Sequence, residues 1–126
     1  MQLAHQSDEG HYAVRRVGAG EIQIGERRLT RSLLLAPDRC VEEFPPRTFE
    51  EFDDAAIATI LALEPSVVLV GTGERQRLAP PALMAAFLTR GVGLEAMDSA
   101  AAARTFNLLA GEGRRVVAAF LIDATA

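Results

Sequence analysis

The chain has one cysteine, no lysine, two histidines and no apolar run long enough to cross a bilayer, and each shortage excludes a chemistry. A single thiol, Cys40, permits neither an internal disulfide nor a cysteine-based metal cluster, which fits a reducing compartment. All 13 basic residues are arginine, so no Schiff-base lysine and no phosphate-loop lysine exists. His5 and His11 both lie in the N-terminal arm, six residues apart, a spacing that does not align two metal ligands on one helix face. Neither a metal, a cofactor nor a Ser-His-Asp triad is expected. The stretch 1–9 lacks a basic segment followed by an apolar run, and no later segment is long enough to span a membrane, so the protein is expected to be soluble and cytoplasmic. The net charge of −4 argues against a nucleic-acid partner, because such affinity comes from clustered cations.

What is present is a chain of 126 residues that fits one domain, 1–126, and can bury a core without staples. Its first third alternates short apolar runs with turn signals, predicting antiparallel strands at residues 12–17 and 21–24, with Gly18-Ala19-Gly20 between them. Gly25-Glu26 suits a two-residue hairpin with glycine at the first central position, after which residues 27–35 return as one strand. Pro37-Asp38 marks a turn and residues 40–44 a further strand. Asp53 and Asp54 then stand where negative charge favours a helix N-terminus, and Ile57, Ile60, Leu61 and Glu64 follow at helical spacing up to Pro65.

From residue 66 the pattern becomes strand and helix in alternation. Residues 67–70 read as a strand buried on both faces. Pro80-Pro81 opens a helix in which Leu83, Met84, Phe87 and Leu88 form one apolar stripe, with Arg90 in its last turn and Gly91 as its stop. A strand at 94–97 follows, then a helix capped by Asp98 or Ser99 and ending at Gly111. The longest apolar run, 116–122, belongs near the centre of the sheet. The fold class is α/β: three layers, a mixed central sheet with helices packed on it, and an N-terminal antiparallel region.

Two constellations invite a functional reading. Gly71-Thr72-Gly73 follows a strand, where ligands bind in open α/β sheets, and Arg75 and Arg77 come next. Gln76 replaces the third glycine of a dinucleotide fingerprint, however, and the next helix starts only near Pro80. Glu95 and Asp98 lie about where a ribose-binding acid would stand. The loop is therefore either a small-anion or nucleotide site or a plain tight turn. Arg104 and Asn107, three apart, share a helix face, and asparagine is a poor interior helix residue. They complete one pocket with the glycine loop, or they are a solvated stripe, or Asn107 satisfies the backbone of a neighbouring loop. The residues assigned to such a pocket are Gly71, Thr72, Gly73, Arg75, Asp98, Ser99, Arg104, Asn107 and Arg114. Cys40 reads as a small buried hydrophobe and not as a nucleophile.

The stretches Val70-Gly71-Thr72-Gly73, Gly91-Val92-Gly93-Leu94-Glu95-Ala96-Met97-Asp98-Ser99, Ala103-Arg104-Thr105-Phe106-Asn107-Leu108-Leu109 and Glu112-Gly113-Arg114-Arg115-Val116-Val117-Ala118-Ala119 resemble a widespread family of small α/β proteins. That family includes the mitochondrial NADH:ubiquinone oxidoreductase (complex I) assembly factor 3. The chain looks like its bacterial form, with serine at position 99 where threonine is frequent. The resemblance implies a three-layer fold, no established catalytic activity, and a protein-interaction role with respiratory complex subunits or assembly proteins as partners. The alternative it leaves open is a small-molecule or anion binder, or an enzyme, using the glycine loop.

Overall fold

The computed structural model describes residues 11–123. The first part of the chain is a meander of three antiparallel strands, β1 (Val14–Gly18), β2 (Glu21–Ile24) and β3 (Arg27–Leu29). Gly25 has φ of 60° while Glu26 is not among the positive-φ residues, so glycine carries the left-handed conformation at the first central turn position, as its placement predicts.

The single strand predicted over 27–35 is divided. After Leu29 the chain crosses to a second sheet and resumes as β4 (Leu33–Ala36), paired with β8 instead of β2. Burial explains the break: Arg27 and Arg28 are exposed, whereas all four residues of β4 are buried. Ser32 anchors the crossing, its buried hydroxyl accepting the Ile122 N–H at 2.8 Å. Pro37-Asp38 turns β4 into β5 (Arg39–Val41), which stops short of the predicted end at residue 44. Phe44 instead leaves the ladder to pack edge-on against Phe52, its N–H bonded to Ser32 O. Cys40 is half-buried on β5, and burial, with Glu42 adding to it, pushes its thiol up to about 11. At neutral pH it is a protonated apolar side chain.

Helix α1 (Asp54–Leu61) is capped by the Asp53 carboxylate, which accepts the Ala56 N–H at 2.8 Å. Then follow β6 (Val67–Gly71), α2 (Pro81–Leu88), β7 (Gly93–Met97), α3 (Ser99–Gly111) and β8 (Val116–Phe120). The larger sheet has the order β5-β4-β8-β6-β7, parallel through β8, β6 and β7 and antiparallel at β4 and β5. The longest apolar run does supply the central strand.

Alternate residues of the inner strands divide the core in two. Val68, Val70, Val117 and Ala119 face Ile60 of α1 and Leu83 and Phe87 of α2. Leu69, Val116, Ala118 and Phe120 face Ala102 and Phe106 of α3 and Ile22 and Ile24 of β2. Three layers result: α1 with α2, the five-stranded mixed sheet, and α3 with the three-stranded sheet.

Candidate functional site

Strands β6 and β7 are parallel neighbours whose outgoing loops lead to opposite faces, to α2 and α3 respectively. The crevice between their C-terminal ends is the place where open α/β sheets hold ligands. Here the chain fills it with its own 72–77 loop. Thr72 N–H donates to Met97 O (2.9 Å), Gly73 N–H to Ser99 Oγ (2.9 Å), Ser99 N–H to Gly73 O (2.8 Å) and the Gln76 amide to Ala96 O (3.1 Å). The Thr72 hydroxyl closes the loop on itself, 2.5 Å from Arg75 O and accepting Arg77 N–H at 3.2 Å. Asp98 caps α3 by accepting the Ala101 N–H at 2.8 Å.

The donors that would hold an anion in this loop are thus engaged within the protein. Glycine is needed for geometry instead. Gly73 has φ of 91°, and a Cβ on Gly71 would stand 2.9 Å from both Phe120 Cδ1 and Ser99 Oγ. Gly71 is the gap through which the start of α3 approaches the sheet.

The other predicted residues are distributed around this junction without converging on it. Arg75 is exposed. Thr72 borders a cavity of about 210 Å³ shared with Arg47, Arg77 and Leu121. Arg104 and Asn107 border a different one, of about 260 Å³, between α3 and β1. Arg114 lies past the C-terminal end of α3, a helix that rises about 18 Å between Ser99 and Gly111. Thr72 and the Arg104–Asn107 pair therefore line two different cavities.

Asn107 has a definite task. Its Oδ1 accepts the Val14 N–H and its Nδ2 donates to Val14 O, both at 2.9 Å, so one amide occupies the edge of β1 as a neighbouring strand would. This is the structural alternative, and it explains an asparagine inside a helix. Asn107→Ala should cost about 1–2 kcal/mol in urea denaturation, since two half-buried backbone groups lose their partners. Asn107→Asp, which keeps the acceptor for Val14 N–H but loses the donor, should fall between. Equal stability of all three proteins would show that the clamp contributes nothing.

What the sequence pattern did not single out is the outward surface of α2. Of the predicted stripe only Leu83 and Phe87 are buried; Met84 and Leu88 face solvent with Pro81, Ala82 and Ala85. Leu88 is 68% exposed and Leu78, in the segment leading into the helix, 85%. With no charged residue between Pro81 and Leu88, the helix is apolar around its circumference, and periodicity cannot tell its inner from its outer face.

The fold is of the three-layer α/β class, built from a five-stranded mixed sheet, a three-stranded antiparallel sheet and three helices. Residues 14–121 match the family described as protein of unknown function (DUF498/DUF598), and the chain belongs to that family. It is 33% identical over 76 residues to NADH dehydrogenase (ubiquinone) 1 alpha subcomplex assembly factor 3 of Bos taurus, covering 59% of this chain and 41% of that protein. It is 40% identical over 57 residues to the 13 kDa major membrane protein of Francisella tularensis, covering 45% of this chain and 46% of that one. These alignments span less than half of either relative. Among solved structures, the Xanthomonas campestris protein XCC1710 is 46% identical, with a TM-score of 0.81 over 88% of this chain and 84% of that one. A Bordetella parapertussis protein is 38% identical, with a TM-score of 0.83 over 93% and 100% of the two chains. The family that includes the assembly factor, implied by the resemblance, is therefore the family found.

Proposed function

We propose that this protein is a noncatalytic interaction factor of the cytoplasm that binds a protein partner across the outward face of α2. The observation that carries this reading is the exposure of Met84 and Leu88 on α2 and of Leu78 in the segment leading into it, three of the four large apolar side chains exposed among the described residues. Such a surface costs free energy in water and is stabilised when covered, each fully buried leucine contributing about 1.5–3 kcal/mol. The partner we favour is a subunit or assembly protein of a respiratory complex, in keeping with the name of the Bos taurus relative. No helix among the described residues is long and apolar enough to cross a membrane, and contact with such a complex needs only a protein surface. The alternative, anion or nucleotide binding at Gly71-Thr72-Gly73, is weakened by the engagement of that loop's donors.

The test is affinity purification from the native cell with mass spectrometry, comparing the natural chain with Leu78→Glu and Leu88→Glu. Both side chains are exposed, so stability should change by no more than about 0.5 kcal/mol. Respiratory subunits or assembly proteins should be retained by the natural chain and fall by about tenfold or more with either variant. Undiminished recovery would remove α2 as the binding face. Turnover of a metabolite that Thr72→Ala or Arg104→Ala abolishes would replace the reading with an enzymatic one.

A further inference from the structure

We propose that the groove between the free edge of β1 and helix α3 is a docking site for an extended acidic segment of a partner protein. Strand β1 is irregular. Val14 pairs with Ile24 and Arg16 with Gln23, so Arg15 is the extra residue of a β-bulge. In a regular strand, burying Val14 would turn Arg16 inward and Val17 outward. The bulge resets the alternation, so Arg15 and Arg16 are both exposed and Val17 returns toward the core.

These two arginines and Arg104 of α3 line one cavity of about 260 Å³, in which the small side chains of Ala100 and Ala103 leave room for a ligand; no carboxylate lines it. Glu21, the acid that feels the charge of Arg16, is itself held by Arg28 at 2.7 Å. Three guanidiniums at one groove are thus set against a chain whose net charge is −4. The attraction for an acidic partner is local to this patch. Guanidinium groups accept carboxylates in paired hydrogen bonds, so each arginine can take one acidic side chain.

The backbone indicates an extended ligand. Gly18 and Glu21 flank a two-residue turn, Ala19-Gly20, and therefore form a hydrogen-bonded pair. The adjoining pair, Val17 with Ile22, is then of the non-bonded kind, and the Val17 N–H and C=O point away from β2, to the same edge as those of Val14. Asn107 occupies the Val14 position with its side-chain amide. A strand entering the groove adds the next bonds at Val17 while alternate acidic side chains meet the arginines.

The proposal rests on the partner-binding reading for the nature of its ligand but uses the opposite layer of the molecule from α2. Its test is a titration of the ¹⁵N-labelled chain with the capped hexapeptide of alternating glutamate and valine at low ionic strength. Amide shifts should be confined to residues 14–18 and 100–107, with slowed exchange of the Val17 amide. Arg15→Gln, Arg16→Gln and Arg104→Gln should each weaken binding about two- to fivefold, as exposed ion pairs do, and the triple variant about tenfold or more. The glutamine-valine hexapeptide should bind about tenfold more weakly. Equal binding of the two peptides, shifts located elsewhere, or inorganic phosphate reproducing the whole pattern including Val17 would overturn the proposal. Leu88→Glu should leave peptide binding unchanged. Partner recovery that survives Leu88→Glu would count against the α2 reading and leave the groove standing.

Discussion

Phe120→Ala is expected to lower stability by about 3–5 kcal/mol, the range for removing a large aromatic ring from a packed core. Phe120 is fully buried on the central strand, flanked by Leu33 of β4 and Gly71 of β6. Its ring belongs to the layer formed with Phe106, Ala102 and Leu69, and its Cδ1 also bounds the space over Gly71. Truncation removes apolar surface from burial and opens a void that the rigid strands on either side cannot close. Since domains of this size hold roughly 5–15 kcal/mol in all, the variant should unfold at a much lower urea concentration with an unchanged slope. A loss below about 1 kcal/mol would mean that α3 does not pack on β8 as described.

Gly71→Ala should be the next most damaging of these changes, costing about 1–3 kcal/mol through overpacking. A methyl group there meets the Phe120 ring and Ser99 Oγ at 2.9 Å, and Ser99 Cα at 3.2 Å. The ring and the hydroxyl can shift, but the Ser99 backbone is tied down by its N–H bond to Gly73 O and by the cap at Asp98. Thermal and urea denaturation measure the loss. Because the methyl group and the ring compete for one space, Gly71→Ala with Phe120→Leu should be more stable than the sum of the two single losses predicts. Strict additivity would show that the two residues do not touch. If instead Gly71→Ala leaves stability unchanged, the close approach of α3 to β6 is not required.

Much of the fold was legible because local signals and burial agreed. The glycine at the first position of the Gly25-Glu26 turn, the aspartates at the start of α1, the proline at the start of α2 and the 116–122 run each dictate a local outcome that the tertiary structure had no reason to override. The strand over 27–35 failed as a single element for the opposite reason. Its backbone preference is continuous, but its burial requirement changes between Arg28 and Leu33, and only the second sheet could meet it. Likewise only Leu83 and Phe87 of the predicted α2 stripe are buried, because an uncharged helix offers no polar face against which to set the apolar one.

The candidate site shows the same division. That two glycines stand at a strand end could be read from residue order, and so could the oddity of Asn107 within a helix. What each is for depended on neighbours distant in sequence: Ser99 and Phe120 over Gly71, and Val14 facing Asn107 from 93 positions away. The sequence by itself determined the alternation of strand and helix from residue 66 onward, the caps and turns, and the residue types that exclude lysine chemistry and an internal disulfide. Only the tertiary structure decided that the glycine loop spends its donors on α3, that a bulge turns Arg15 and Arg16 outward together, and that Met84 and Leu88 face water. The physical reason is that turn and cap preferences are set by a few adjacent residues. Hydrogen-bond satisfaction and burial are set by whatever the fold brings alongside.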